Sequence, residues 1–398
     1  MNVLNVLVVA TKAPWPPIDG GRLLLRTMLE GLAAAGHRAT LVAPVDPARF
    51  DLATVSEALS GCCEPRLVPV SPPSLTTALL RTVRTGEPLS IARHALPAVR
   101  REVERSLRVD HFDLLHAEQL QALPQAAPAF AAGLPVVLRA QNVESDLWRE
   151  TARRTGGARG LLLGIEARRL ARWEGEAVRR TAATLTLTSE DAARLQALAS
   201  GGEISVVRAP FPDLPAAAGE PLAGDPAVVV LGSQGWFPNE DAVAWFLAEV
   251  WPATLAILPE AVLHLFGAAP AGPPPARVNL HAAPRDSSEA FRPGSILAVP
   301  LRIASGVRMK VLEAWARGVP VVATPAALAG LEVEDGRQAL MAADAPEFAN
   351  ALARLHREPG LADRLVAAGQ QARRERHEPA RVTAELIAAY ERALVSSR

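Results

Sequence analysis

The sequence predicts an α/β protein built from two doubly wound, parallel-sheet domains. Three observations carry that expectation. Short apolar runs rich in Val, Ile and Leu alternate with longer stretches of helical spacing, the pattern of parallel strands covered on both faces. The alternation breaks at residues 209–226, "APFPDLPAAAGEPLAGDP", which hold five prolines and no periodicity, and then restarts. A chain of 398 residues, 49% hydrophobic, is also too long for one ordinary core.

Taken in order, the strand-like runs of the first half are 3–10, 39–43, 66–70, 112–115, 135–139, 183–188 and 203–207. Those of the second half are 227–231, 262–266, 278–280, 296–300 and 320–323, and residues 379–396 read as a final amphipathic helix. The expected organisation is a first domain over 1–208, a linker over 209–226, a second domain over 227–376 and a C-terminal helix over 377–398. The opening "MNVLNVLVVA" lacks a basic leader and is followed by "TKAPWPP", so it reads as a buried first strand and not a signal peptide. No run approaches the roughly 20 apolar residues of a membrane span.

Charge is balanced, 42 basic against 42 acidic residues, which argues against a nucleic-acid partner. The two cysteines, Cys62 and Cys63, are adjacent; that is neither metal-ligand spacing nor a disulfide framework, and a reducing, cytoplasmic compartment fits. A dinucleotide-binding dehydrogenase should show G-x-G-x-x-G after a first strand, but "TKAPWPPIDGGR" and "GSQGWFPNED" stand there instead.

Doubly wound domains place ligands at the carboxyl ends of their strands. At one such end, "SILAVPL" is followed by the loop "RIASG" and by "VRMKVLEAWARG", which has helical spacing and stops at Gly318. Ser305 and Gly306 are thus expected at a helix N-terminus, where free N–H groups and the helix dipole favour an anion. Arg302, Arg308 and Lys310 add positive charge, and Glu313 could accept from sugar hydroxyls. The same spacing also describes a solvated, salt-bridged helix face. Only two lysines occur, Lys12 and Lys310, both in expected strand-end loops of a chain that otherwise uses arginine. "PPIDGGR" offers Gly20 and Gly21 as a second phosphate-facing loop, or simply an Asp-Gly turn. "VVLRAQNVESDLW" clusters Gln141, Asn142 and Glu144 after a strand, with Asn142 or Ser145 as alternative caps of a helix beginning near Leu147. His116, in "FDLLHAEQ", stands at a strand end as a candidate catalytic or structural histidine.

Together these stretches resemble the retaining glycosyltransferases of the "group 1" family, which have the GT-B fold, over nearly the whole chain. "PPIDGGR" resembles the family's N-terminal glycine loop, "QNVESDLW" its "HNVE" segment and "TLTSEDAARL" a serine–aspartate segment late in the first domain. "GSQGWFPNEDAVAWF" is similar to the opening of the second domain. "PLRIASGVRMKVLEAWARGVPVVATPAALAGL" is similar to a subgroup found in exopolysaccharide clusters, with its G-x-x-x-K-x-L-E-A signature. The resemblance implies two Rossmann-like domains facing a cleft, with a C-terminal helix crossing back to the first. It implies a nucleotide-diphosphate sugar as co-substrate in the second domain and a sugar, lipid-linked or small-molecule acceptor in the first. It implies donor contacts by Gly20, Gly21, Arg302, Ser305, Gly306, Val307, Arg308, Lys310 and Glu313, Glu313 taking the ribose. Lys12, Asn142 and Glu144 become acceptor-binding candidates, and Gln141, His116 and Lys310 catalytic ones. Three departures stand out: Ser305 replaces the first glutamate of the family's Glu–seven residues–Glu motif, Gln141 replaces its histidine, and "GSQGWFPNED" lacks the usual Arg and Lys.

The resemblance implies transfer with retention, in polysaccharide, glycolipid or natural-product glycoside synthesis. Helix N-terminal amides and fixed cations suit a departing diphosphate. No enzyme base is required if the leaving phosphate takes the acceptor's proton, and no metal or other cofactor is expected. Alternatives are a catalytically silent scaffold or binding subunit, and a sugar-nucleotide epimerase or hydrolase of the same fold. Seven arginines in 81–108 and nine in 149–180 suggest either contact with the inner face of an anionic membrane or merely solvated helices.

Overall fold

The computed structural model describes residues 3–71, 73–233, 235–270, 272–284 and 286–397. The chain forms two compact units: unit 1 is Met1–Pro210 with Pro379–Arg398, and unit 2 is Phe211–Glu378.

Unit 1 opens with β1 (Asn5–Ala10), α1 (Gly20–Ala34), β2 (Arg38–Val45), α2 (Leu52–Leu59) and β3 (Glu64–Pro69). Helices α3 (Leu75–Thr85), α4 (Leu89–His94) and α5 (Pro97–Val109) lead to β4 (Leu114–Glu118), and α6 (Ala127–Ala131) to β5 (Val136–Ala140). Helices α7 (Glu144–Thr155) and α8 (Gly157–Arg180) follow, then β6 (Ala183–Thr186), α9 (Ser189–Leu198) and β7 (Ile204–Val206). All pairings are parallel, in the order β3-β2-β1-β4-β5-β6-β7. The apolar runs are continuous because both faces of the sheet are covered: Val6, Leu7, Val8 and Val9 are all fully buried.

Unit 2 comprises β8 (Ala227–Leu231), α10 (Phe237–Trp245), α11 (Trp251–Ile257), β9 (Val262–Phe266), β10 (Val278–His281) and β11 (Ser295–Val299). Then come α12 (Met309–Arg317), β12 (Val321–Ala323), α13 (Pro325–Leu328), β13 (Leu340–Met341), α14 (Ala345–Arg357) and α15 (Leu361–His377). Its parallel sheet runs β10-β9-β8-β11-β12-β13. The two-residue β13 escapes the sequence reading because it is too short to show a period. The proline-rich segment is anchored where unit 2 begins: Phe211 is fully buried, its N–H donates to the His377 carbonyl (2.7 Å), and its own carbonyl accepts from Arg373 (3.1 Å).

The last helix, α16 (Pro379–Ser396), belongs to unit 1. Val382, Leu386, Ile387, Tyr390 and Ala393 form one helical stripe and join the core made by β1, β2 and α1. No helix among the described residues is long and apolar enough to cross a membrane.

Both strand orders reverse direction once, between β1 and β4 in unit 1 and between β8 and β11 in unit 2. Loops leaving neighbouring strands there go to opposite faces and open a crevice at the carboxyl edge.

Candidate functional site

In unit 2 the crevice lies between the loops after β8 and β11. Gly306 turns the chain from β11 toward α12 at φ +70°, a left-handed conformation that favours glycine. Helix α12 begins at Met309, later than the sequence reading placed it, and no side chain caps its first turn. Lys310 reaches from that turn across the crevice, and its Nζ donates to the Leu231 carbonyl at the end of β8 (2.6 Å). Burial, followed by the charge of Arg308, pushes its pKa down to about 8. Among the described residues no carboxylate pairs with it.

The other expected donor residues are engaged within the unit. Arg302 grips Asp241 bidentately (3.0 and 2.6 Å) and lies over the Trp245 ring, so its charge is already compensated. Arg308 donates to the Ser305 carbonyl and covers Trp236. Ser305 and Val307 are buried. Glu313 accepts from the Ser287 hydroxyl and from Arg317 Nε (2.9 Å), so one of its oxygens is already held in a hydroxyl-binding geometry. Near the end of β10, His281 stacks on Phe266 with ring centroids 4.2 Å apart. Its neighbour in "HAAPRD", Arg285, lies outside the described residues.

In unit 1 a chain of hydrogen bonds runs from the crevice into the core. Thr11 Oγ1 donates to Gln119 (2.7 Å), Gln119 Nε2 to Gln141 Oε1 (2.9 Å), and Gln141 Nε2 to Glu118 Oε1 (2.7 Å). Glu118 also binds Arg139 and His116, and His116 Nδ1 meets the Tyr390 hydroxyl (2.7 Å). Burial by itself would raise the Glu118 carboxyl; Arg139 and His116 overcome it and hold the pKa at about 2. Burial in turn keeps the His116 pKa below its usual value. An ionised Glu118 therefore accepts a hydrogen bond from the Nε2–H of a neutral His116, whose Nδ1 accepts from Tyr390.

His116 does not stand at a strand end. β4 continues through Glu118, placing His116 within the sheet, fully buried, with both ring nitrogens engaged. It acts on its neighbours and not on a solvent-borne substrate. The sequence run was cut at residue 115 because polar residues follow it, yet His116, Glu118 and Arg139 satisfy one another inside the sheet, β4 and β5 being in register at Glu118 and Arg139. The tyrosine that completes the network is the only one in the chain, a signal composition alone offered.

Gly20 and Gly21 are the first residues of α1. The end they form already carries a carboxylate: Asp19 accepts from the Arg22 N–H (3.0 Å) and pairs with Lys12 (2.7 Å) and Arg22 (3.3 Å). A Cβ on Gly21 would stand 3.2 Å from Gln141 Oε1, so this glycine lets the helix close on the glutamine. Beside them a cavity of about 580 Å³ opens at the carboxyl ends of β1, β2 and β3, with Trp15 and Phe50 on its wall and Lys12, Arg49, Arg93 and His94 around it. His94 Nδ1 donates to the Ser90 carbonyl (2.8 Å), and burial, with Arg93 and Lys12 nearby, lowers its pKa. Neither His94 nor the aromatic wall was marked by sequence motif. Asn142 and Glu144 do not line this cavity. Helix α7 starts at Glu144 and is capped from another helix: the Glu174 carboxyl of α8 accepts from the Glu144 N–H (2.6 Å). Burial and the nearby Glu144 push Glu174 up to about 8, and burial raises Glu144 too.

Residues 225–358 match the family model described as glycosyl transferases group 1. No curated protein sequence matches the chain. Solved structures similar to it include Anabaena HepE in complex with UDP-glucose, 15% identical over 98% of this chain and 99% of that one, with a TM-score of 0.65. Sucrose-phosphate synthase from Thermosynechococcus elongatus is 14% identical over 99% and 100%, with a TM-score of 0.72. The fold is GT-B. SnogD, a glycosyltransferase from Streptomyces nogalater, is 19% identical over 98% and 100% at a TM-score of 0.52. Of the GT-B chain's candidate residues, the family match covers Gly306, Lys310 and Glu313 and leaves Lys12, Gln141 and the unit 1 cavity outside it.

Proposed function

We propose that the chain is a glycosyltransferase that moves a sugar from a nucleotide-diphosphate donor to an acceptor hydroxyl, with retention. The observation that carries this reading is Lys310, a partly buried ammonium at the strand-order switch of unit 2 with no carboxylate beside it. A diphosphate is the anion such a place suits, because the uncapped first turn of α12 adds N–H donors and a favourable dipole. Glu313 would exchange the Ser287 hydroxyl for a ribose hydroxyl, and the unit 1 cavity would take the acceptor. Support comes from the family match, which spans this region, and from HepE, whose fold is similar and which holds UDP-glucose. Lys310 and the helix amides would stabilise the departing diphosphate. Gln141 cannot exchange a proton near neutral pH, which suits a reaction whose leaving phosphate takes the acceptor's proton.

The test is a thermal-shift screen with UDP, GDP, ADP and dTDP sugars, followed by nucleotide release with candidate acceptors and by NMR of the product's anomeric proton. The expected result is stabilisation by one donor class, release of its nucleotide and an unchanged anomeric configuration. Stabilisation without release would assign a silent binding subunit. An absence of stabilisation by any nucleotide sugar would remove the donor site.

A further inference from the structure

We infer that helix α3 and the start of α8 form a docking face for an anionic lipid surface. Helix α3 spans 11 residues, of which Ala78 alone is buried. Leu75, Leu79, Leu80 and Val83 are exposed, Leu80 by 73% and Val83 by 85%. At 100° per residue these four fall within about 140° of arc, on the side facing away from Ala78. Leu161, Leu162 and Ile165 on α8 are exposed as well. Of the 13 exposed large hydrophobic residues among those described, these two helices hold seven, so the apolar surface is concentrated and not scattered.

The two helices are joined through the turn that follows α3. Arg169 of α8 donates to the carbonyls of Gly86 (2.8 Å) and Glu87 (2.9 Å), just past the end of α3, and Glu166 accepts from the Leu89 N–H. Leu162 and Ile165 share a helix face with Glu166 and Arg169, being one turn earlier at the same spacing. α3 is held by Ala78, by Arg81, which donates to the Ala95 carbonyl, and by the turn at its end, while its apolar arc stays in solvent.

Arginine predominates around this face, and the carboxylates nearest it, Glu87 and Glu166, are paired with Arg81 and Arg169. No Asp or Glu occurs in Leu75–Thr85 or in residues 151–165. Arg84, Arg159, Arg168 and Arg172 are exposed, and Arg168 and Arg172 continue the face of Ile165. An apolar arc bordered by exposed arginines, its neighbouring carboxylates already paired, matches a lipid surface of negative charge: the apolar residues enter the acyl boundary and the arginines meet the headgroups. A second protein would need carboxylates aimed at these arginines in a fixed pattern, whereas a fluid anionic surface supplies charge wherever they stand.

The test is cosedimentation of the full chain with vesicles of phosphatidylcholine alone and of phosphatidylcholine mixed with phosphatidylglycerol. Two double variants accompany it, Leu80→Gln with Val83→Gln and Arg168→Gln with Arg172→Gln, each checked for an unchanged melting temperature. The wild type is expected to bind the mixed vesicles, less so as salt rises. The arginine pair should weaken that binding by about fivefold per charge removed, and the apolar pair should abolish it at every salt concentration. The proposal fails if the wild type stays in the supernatant with mixed vesicles at low salt, or if either variant binds as tightly as the wild type. It fails equally if light scattering finds a dimer that the apolar pair dissociates, because the face would then belong to a second copy of the chain.

Discussion

Lys310 is expensive to keep charged where it stands. Burial and Arg308 oppose the ammonium, and among the described residues the Leu231 carbonyl is its hydrogen-bond partner. Replacing Lys310 by Ala is expected to leave the melting temperature unchanged or higher, while donor affinity falls on the order of tenfold or more. Because its pKa lies near 8, donor affinity in the wild type should decline above about pH 8, by up to about tenfold per pH unit, and stay flat in the alanine variant. Titration calorimetry with the best donor at neutral and alkaline pH checks both. Glu174 behaves oppositely. Its pKa is raised to about 8 from 4.5, so the folded protein keeps a proton that the unfolded chain releases. Stability is therefore expected to be full below about pH 4.5, to decline up to about pH 8, and to level off beyond. Glu174→Gln keeps an acceptor for the Glu144 N–H and removes the titration. It should gain on the order of 1–3 kcal/mol near pH 7 and almost nothing near pH 4, read from urea unfolding at the two values.

At the scale of elements, the close contact between α1 and α16 has a single-residue cause. A Cβ on Gly31 would stand 2.1 Å from the Thr383 hydroxyl oxygen and 3.2 Å from its Cβ. Gly31 thus belongs in the middle of a helix, despite its propensity cost, because α16 passes directly over it. Gly31→Ala is expected to destabilise unit 1 by about 1–3 kcal/mol, and adding Thr383→Ala should recover part of the loss. A double-mutant cycle in urea measures the coupling; additive effects would mean that the two helices do not meet there. The cap of α7 follows the same logic. No side chain of its own segment caps it, and Glu174 arrives from α8. Ser145, one of the caps that sequence rules favour, lies inside the helix, and the carboxyl of a packed neighbour takes its N–H together with that of Glu144.

At the scale of the molecule, the chain leaves unit 1, builds unit 2 and returns to finish the first core. Ending the chain after Glu378 would strip six buried side chains from that core, of which Val382, Leu386 and Ile387 each contribute about 1.5–3 kcal/mol, against a total stability of about 5–15 kcal/mol. Hydrogen exchange on the truncated chain should show lost protection in β1, β2 and α1, with the strands of unit 2 still protected. Unchanged protection in unit 1 would show α16 to be dispensable. The alternation of strand and helix was legible residue by residue because periodicity and β-branched runs are local properties: twelve of the thirteen strands lie where apolar runs stand in the sequence. So was the loop around Gly306, Lys310 and Glu313, whose residue types carry their chemistry wherever the chain takes them. Local pattern does not report what a side chain meets across the sheet. Arg302, read as a free cation, is held by Asp241 from 61 residues away, and His116 is closed in by Tyr390 from 274 away. Sequence by itself determined which segments become strands and helices and which stretch after β11 carries the glycine, lysine and glutamate. Strand order and packing decided which charges are paired inside the protein, as at Arg302, and which, like Lys310, meet no carboxylate among the described residues, because ion pairing and burial depend on neighbours that only the folded chain brings within reach.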